Sequence, residues 1–161
     1  MISEVEKIER FILGRWIGMQ KAYGYWVQVW IGRLRLHVFL QGDPGEALHS
    51  HPWPYTSFPF SSYVEEYLDG AGEIKRQVIR RFRLNRQTAT HTHRILGKWS
   101  GKYVNGEPTI VPGRVVTICF SGRVEREMQF FRMHKGRLKA YDWKPYLRRF
   151  GRLPSKRDGV L

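Results

Sequence analysis

The sequence predicts an all-β fold, either a sandwich or an antiparallel barrel, with one helix at the N-terminus. Stretches of β-forming residues are short, and apolar and polar side chains alternate along them, as in half-buried strands. Turn-forming stretches such as Gln41-Gly42-Asp43-Pro44-Gly45 and Asp69-Gly70-Ala71-Gly72 separate them. Helical periodicity is scarce after residue 20, which favours a sandwich or barrel. With 161 residues and 42% hydrophobic content, the chain is predicted to form one domain, 1–161, with a sizeable core.

The first 20 residues predict an amphipathic helix. Ser3 and Glu6, three residues apart, form a capping-box signature. Val5, Ile8 and Ile12 then recur at helical spacing. We expect this helix, over 1–20, to pack on the sheet and to have no part in the chemistry.

The strands of the predicted barrel lie within residues 23–133. Each is a stretch rich in β-branched and aromatic residues. The predicted strands are 25–31, 34–40, 48–53, 57–60, 63–68, 73–84, 88–95, 114–121 and 127–133. Lysine and arginine dominate the remaining part of the chain, which predicts an irregular, basic C-terminal segment over 134–161.

A formal net charge of +14 is the strongest compositional signal. It favours polyanionic partners such as nucleic acid, an anionic membrane surface or a phosphorylated ligand, although a merely solubilising surface has the same composition. The single cysteine, Cys119, excludes an internal disulfide framework and a cysteine-rich zinc cluster. Apolar runs are too short for a membrane span, and the acidic N-terminus is unlike a signal peptide, so we expect a cytoplasmic protein.

Two His-x-His pairs are the candidate metal ligands. His49 and His51 form the first pair, and His91 and His93 form the second. Residues two apart on a strand point to the same face, so each pair can present two imidazoles to one space. If the two strands face each other, three or four imidazoles converge, in a donor set that suits zinc, iron, copper or nickel. Solvated histidines on two unrelated strands are the alternative.

The first pair belongs to a longer pattern. Leu48-His49-Ser50-His51-Pro52-Trp53, followed by Ser57-Phe58 and Tyr63-Val64-Glu65, resembles the first motif of a family of small cupin-like proteins of bacteria and phages. Members of that family are mostly uncharacterised. Ala89-Thr90-His91-Thr92-His93-Arg94-Ile95 is similar to its second motif, and the strand that ends in Gly122-Arg123 is similar to its late strand. The resemblance covers roughly residues 30–146 of the sequence.

This resemblance implies a cupin-like antiparallel β-barrel of the jelly-roll type. It also implies a divalent metal, iron, manganese, nickel or zinc, bound by His49, His51 and His93. Glu65 and Glu66 point to opposite faces of a strand, and Glu65 keeps the family's Tyr-x-Glu spacing, which makes it the candidate fourth ligand. The residues expected beside the ligands or at the rim of the barrel are His91, Trp53 and Tyr63.

Clustered arginines are the candidates for binding anions or nucleic acid. They are Arg76, Arg80, Arg81, Arg83, Arg148 and Arg149. The first four lie in the predicted strand 73–84, which carries cations on both faces. Such a pattern also suits an edge strand, where charge discourages pairing with another chain.

Two functional hypotheses follow, from different classes. In the first, the protein is a metal-binding cupin, and a metal-dependent enzyme if the open positions of the metal accept a small acidic or phosphorylated substrate. In the second, it is a non-catalytic scaffold that binds nucleic acid or an acidic protein through its basic surface. Cupins often pair through strand edges, so a homodimer is expected by analogy. The sequence names no reaction.

Overall fold

The computed structural model describes residues 5–22, 25–43, 47–135 and 137–142, and these residues form strands, turns and loops without an α-helix. No helix long and apolar enough to cross a membrane therefore occurs in those ranges. The strands, in chain order, are β1 Val5–Ile12, β2 Arg15–Ala22, β3 Trp26–Ile31, β4 Leu34–Phe39, β5 Leu48–His49, β6 Tyr55–Pro59, β7 Tyr63–Leu68, β8 Ile74–Ile79, β9 Asn85–Gln87, β10 His93–Val104, β11 Glu107–Val111, β12 Val115–Ser121, β13 Gln129–His134 and β14 Arg137–Asp142.

Two antiparallel sheets contain all of these strands, which confirms the predicted all-β class. Sheet A has the order β1-β2-β3-β4-β12-β6-β9. Sheet B has the order β14-β13-β5-β10-β7-β8, with β11 paired to β10. The buried core cluster joins Tyr63, Ile79 and Ile95 of sheet B to Val115 of sheet A, with Phe39 packed against it. The two sheets therefore bury their facing sides against each other.

The N-terminal residues form a β-hairpin, so the predicted N-terminal helix is wrong. Leu13 and Gly14 connect β1 to β2 with φ values of 51° and 75°, and both are positive as a two-residue type I′ turn requires. β2 then pairs along its length with β3, which places Gly18 opposite Trp30. Ile8, counted in the predicted helical stripe, is 48% exposed. A helix here would have no buried surface for its apolar stripe to pack on, so pairing of β2 with β3 stabilises the segment more than a helix would.

Four other segments differ from the prediction. The predicted strand 48–53 contains only β5, which ends at His49, so His51 lies just beyond it. The stretch 73–84 contains β8 only as far as Ile79, followed by a turn in which Phe82 has a φ of 59°. β10 begins at His93 and continues into an unpredicted hairpin with β11, turning at Asn105-Gly106. In the segment predicted to be irregular, β14 pairs with β13, while residues 143–161 lie outside the described ranges. β8 does lie at the edge of sheet B.

Candidate metal centre

Three histidines meet between the sheets because β5 and β10 are neighbours in sheet B. His49 and His93 face each other directly in the strand register. His51 follows two residues after His49, and its ring lies on the same side. The ring centroids are 5.2 Å apart for His49 and His51, 5.2 Å for His49 and His93, and 5.3 Å for His51 and His93. The three imidazoles thus form a nearly equilateral triangle around one point.

The nitrogen atoms of this triangle have the spacing of ligands to one ion. Nε2 of His51 lies 3.0 Å from Nε2 of His93, and one ring nitrogen from each of the three histidines lies within 4.8 Å of the others. Two nitrogens that each lie about 2.0–2.1 Å from a shared metal are roughly 3.0–3.4 Å apart. Without an ion the same contact is a hydrogen bond, with one ring donating and the other accepting. The donor set and its spacing therefore fit a divalent metal.

Glu65 lies behind His93 and is fully buried, with 0% exposure. Its Oε2 accepts a hydrogen bond from Nδ1 of His93 at 2.7 Å. Its Oε1 accepts from Nε2 of Gln77 at 2.7 Å and lies 3.2 Å from Nε2 of His91. Glu65, His91 and His93 form a second group of ligand atoms, but these atoms already pair with one another. The carboxylate therefore orients the His93 ring so that Nε2 points toward His51.

Glu66 points to the opposite face of β7, away from the histidines. Its Oε1 accepts from Nε of Arg76 at 3.0 Å and contacts Nη2 of the same side chain at 2.9 Å. Its Oε2 accepts from Nε of Arg94 at 2.7 Å. Of the two glutamates, only Glu65 faces the metal centre, and the charge of Arg76 is paired with a carboxylate.

The charge states suit metal binding at neutral pH. Burial lowers the pKa of His49 to about 4 and the pKa of His51 well below 6.5, so both rings are neutral. Burial acts in the same direction on the pKa of His93, but the charge of Glu65 and its hydrogen bond outweigh burial and raise that pKa. For Glu65, burial raises the pKa, but the charge of His93 and the hydrogen bonds from both neighbouring histidines hold it at about 2. Because its pKa is raised, His93 is the histidine at which a proton competes most strongly with a metal for Nε2.

Tyr55 is a site residue that sequence reasoning missed. It lies at the start of β6 in sheet A, and its hydroxyl is 3.4 Å from Nε2 of His93. Its ring centroid is 4.8 Å from that of His51. Burial, followed by the charge of Glu65, raises the pKa of Tyr55 well above 10, so the hydroxyl keeps its proton. The sequence signal is the alternation that places Tyr55 on the same face as the buried Ser57, once β6 is begun at residue 55.

The residues expected beside the ligands or at the rim have three different surroundings. His91 stacks on Tyr67, with ring centroids 6.2 Å apart, and contacts the carboxylate behind the metal centre. Trp53 packs under the guanidinium of Arg35, whose Cζ lies 4.4 Å from the ring centroid. Tyr63 is buried in the core cluster between the sheets. Of the three, His91 is the one that contacts Glu65, the carboxylate that holds His93.

A further buried histidine, His37, lies on the inward face of sheet A. Its Nε2 is buried without a hydrogen-bond partner, and its Nδ1 lies 4.0 Å from Sγ of Cys119. Burial lowers the pKa of His37 to about 4, so the ring is neutral at pH 7. Protonation of His37 in acid therefore opposes folding.

The described candidate anion-binding arginines do not form a row on one strand, because β8 ends at Ile79. Arg80 packs over Trp99, with Cζ 4.2 Å from the ring centroid, and Arg81 lies 5.5 Å from the ring of Phe82. Arg80, Arg81 and Arg83 are exposed in the turn after β8. Arg148 and Arg149 lie outside the described residues.

Comparison with known proteins gives similarity to solved structures alone. The chain matches no family model, and no curated protein is similar to it. It is 13% identical to the Drosophila melanogaster CENP-C cupin domain over 73% of this chain and 76% of that chain, with a TM-score of 0.41. It is 11% identical to Fe(II)-HppE with the alternative substrate (S)-1-HPP, over 76% of this chain and 58% of that chain, with a TM-score of 0.44. It is 10% identical to hydroxypropylphosphonic acid epoxidase from S. wedmorenis, over 76% of this chain and 57% of that chain, with a TM-score of 0.39. At these values the similarities assign neither a family nor a function.

Proposed function

We propose that the protein binds one divalent metal ion through His49, His51 and His93, with iron, manganese, nickel and zinc as the candidates. The observation that carries this proposal is the triangle of imidazoles with two Nε2 atoms 3.0 Å apart. Neutral His49 and His51 offer lone pairs, and Glu65 fixes the orientation of His93. A carboxylate behind a ligating histidine is a common support of metal sites.

The proposal extends to a cupin-type, metal-dependent enzyme. Three protein ligands leave positions for a small molecule, where iron would supply oxidation chemistry and zinc, manganese or nickel would supply Lewis-acid chemistry. The protonated hydroxyl of Tyr55 can donate a hydrogen bond to an oxygen atom bound beside His93. The net charge of +14 favours an acidic or phosphorylated substrate.

Metal content tests the proposal directly. Tag-free protein would be offered iron, manganese, nickel and zinc, and bound metal measured by inductively coupled plasma mass spectrometry. We expect about one ion per chain in the wild type and almost none in His49→Ala/His51→Ala. His134→Ala is the matched control, because His134 is exposed at the end of β13 and should leave the content unchanged. A metal-free wild type, or a double variant that keeps its metal, would exclude this site.

The basic surface supports a second candidate function, a scaffold that binds nucleic acid or an acidic protein. Arg80, Arg81 and Arg83 are exposed in one turn, and the chain has a large excess of positive charge. Binding of this kind weakens steeply with salt, because each neutralised phosphate releases counterions. Arg81→Gln/Arg83→Gln should then reduce affinity and flatten the salt dependence, whereas His49→Ala/His51→Ala should change neither.

A further inference from the structure

The outer face of sheet A, which points away from sheet B, is apolar across neighbouring strands. Trp30 and Cys119 are buried on the inner side, so the residues that alternate with them point outward. Six large apolar side chains on this outer side are between 41% and 55% exposed. We call them the apolar face, and they are Ile8, Val29, Ile31, Leu34, Leu36 and Phe120.

The strand register makes the apolar face continuous. Leu34 pairs with Ile31 on one side and with Phe120 on the other, so these side chains form one row across three strands. Val29 pairs with Leu36 in the next outward row. Cross-strand partners lie about 4.5–5.5 Å apart, so each row is a chain of direct contacts. Phe60 and Phe82, with ring centroids 6.3 Å apart, extend the face beyond β12.

An antiparallel sheet that leaves one face in water normally presents polar side chains there. Here the six side chains of the apolar face, together with Phe60 and Phe82 beside it, leave roughly 800 Å² of apolar surface exposed, counting about 200 Å² for a large side chain. Among the described residues of the two rows, the charged side chains are Arg10 at one margin, on β1, and Arg86 at the other, on β9. Although the chain has a charge of +14, the cations of these two rows thus lie only at the margins of the apolar face.

A second copy of the chain is the occupant that fits the apolar face. The exposed apolar area matches the ~800 Å² per partner of a standard stable interface. Two faces whose cations lie only at the margins can meet despite the like charge of the two copies, and identical faces related by a two-fold axis are self-complementary. The C-terminal stretch 143–161 fits less well, because it carries six lysines and arginines against one aspartate. Nucleic acid or an acidic protein would need cations at this surface.

We propose that the protein is a homodimer in which the apolar faces of two copies pack against each other. The interface lies on the outer side of sheet A, whereas the histidines lie between the sheets. The proposal is therefore independent of metal binding.

Sedimentation velocity across the micromolar range tests it. We expect the wild type to have twice the mass of one chain. Leu36→Lys, which would bury an unpaired charge, should be a monomer throughout. Ile31→Thr/Leu36→Thr keeps strand-forming residues but removes apolar area, so it should weaken association by about tenfold or more. Cooperative thermal unfolding of each variant checks that the fold is kept.

Val104→Lys is the matched control. Val104 is 56% exposed at the end of β10 and lies away from the apolar face, so this variant should stay dimeric. Association should persist or strengthen in high salt, because salt screens the repulsion between the positive copies. A monomeric wild type at the highest concentration, or folded Leu36→Lys and threonine variants that dimerise as well as the wild type, would overturn the proposal. A full-length chain that is monomeric, with association only in a variant that lacks residues 143–161, would also overturn it, because the C-terminal stretch would then be the occupant of the apolar face.

Discussion

The substitution Glu65→Gln tests whether Glu65 orients His93 or binds the metal itself. Glutamine has nearly the same volume and keeps one acceptor oxygen. It loses the negative charge that strengthens the hydrogen bond from Nδ1 of His93. Its amide NH2 must also face donors, since Nδ1 of His93, Nε2 of His91 and the amide of Gln77 surround the carboxylate in the wild type. Loss of such a supporting group typically costs ten- to 100-fold in metal affinity. For Glu65→Gln we therefore expect a metal Kd weaker by about 1.4–2.7 kcal/mol.

Competition with a fluorescent chelator, with Zn²⁺ as the titrated ion at pH 7.5, measures this loss. Glu66→Gln is the matched control, because Glu66 is the neighbouring carboxylate on the opposite face, paired with Arg76 and Arg94. We expect its zinc affinity to stay within about threefold of the wild type. This change in binding free energy is smaller than the typical contribution of one hydrogen bond.

Two results would refute the orienting role. Equal losses in Glu65→Gln and Glu66→Gln would indicate a general effect of removing a buried charge. A loss well beyond 100-fold in Glu65→Gln alone would exceed the usual effect of a supporting group and would identify Glu65 as a ligand, as the resemblance implied.

Three further predictions follow from single contacts. Because the pKa of His37 is about 4 in the fold, the folded protein binds fewer protons than the unfolded chain between pH 6.5 and 4, and it loses stability as the pH falls through that window. His37→Leu should therefore lose about 3 kcal/mol less than the wild type between pH 7 and pH 4 in urea unfolding, and equal losses would contradict this. Gly18→Ala should destabilise by about 1–3 kcal/mol in denaturant unfolding, because the new Cβ would lie 2.6 Å from Cε2 of Trp30, whereas in a helix the same change would stabilise. Tyr55→Phe should keep its metal content but bind azide about two- to tenfold more weakly in the cobalt-loaded protein, because one hydrogen-bond donor is lost; unchanged azide affinity would place the hydroxyl outside the site.

Features that depend on local spacing could be predicted from the sequence, whereas features that depend on which strands pair or pack together could not. The two-residue spacing of His49 and His51 is a property of one extended segment, so their shared direction can be predicted without knowing the fold. The same alternation predicts that Glu65 and Glu66 point to opposite faces, as they do. The contact of Tyr55 with His93 depends instead on how sheet A packs against sheet B. A local sequence pattern does not predict that packing. The N-terminal hairpin escaped prediction for a related reason, because β2 is stabilised by pairing with β3.

Sheet B has a narrow junction at β5, which is two residues long. β13 and β14 are connected to the rest of the sheet through this strand, where Phe130 pairs with His49 and Phe131 pairs with Leu48. His49 in turn pairs with His93 of β10. An ion bound by both side chains would therefore crosslink β5 to β10 at this junction. Local opening there would release the outer hairpin as one unit in the metal-free protein. In the metal-loaded protein, amide hydrogen exchange should slow across β13 and β14, although neither strand carries a ligand.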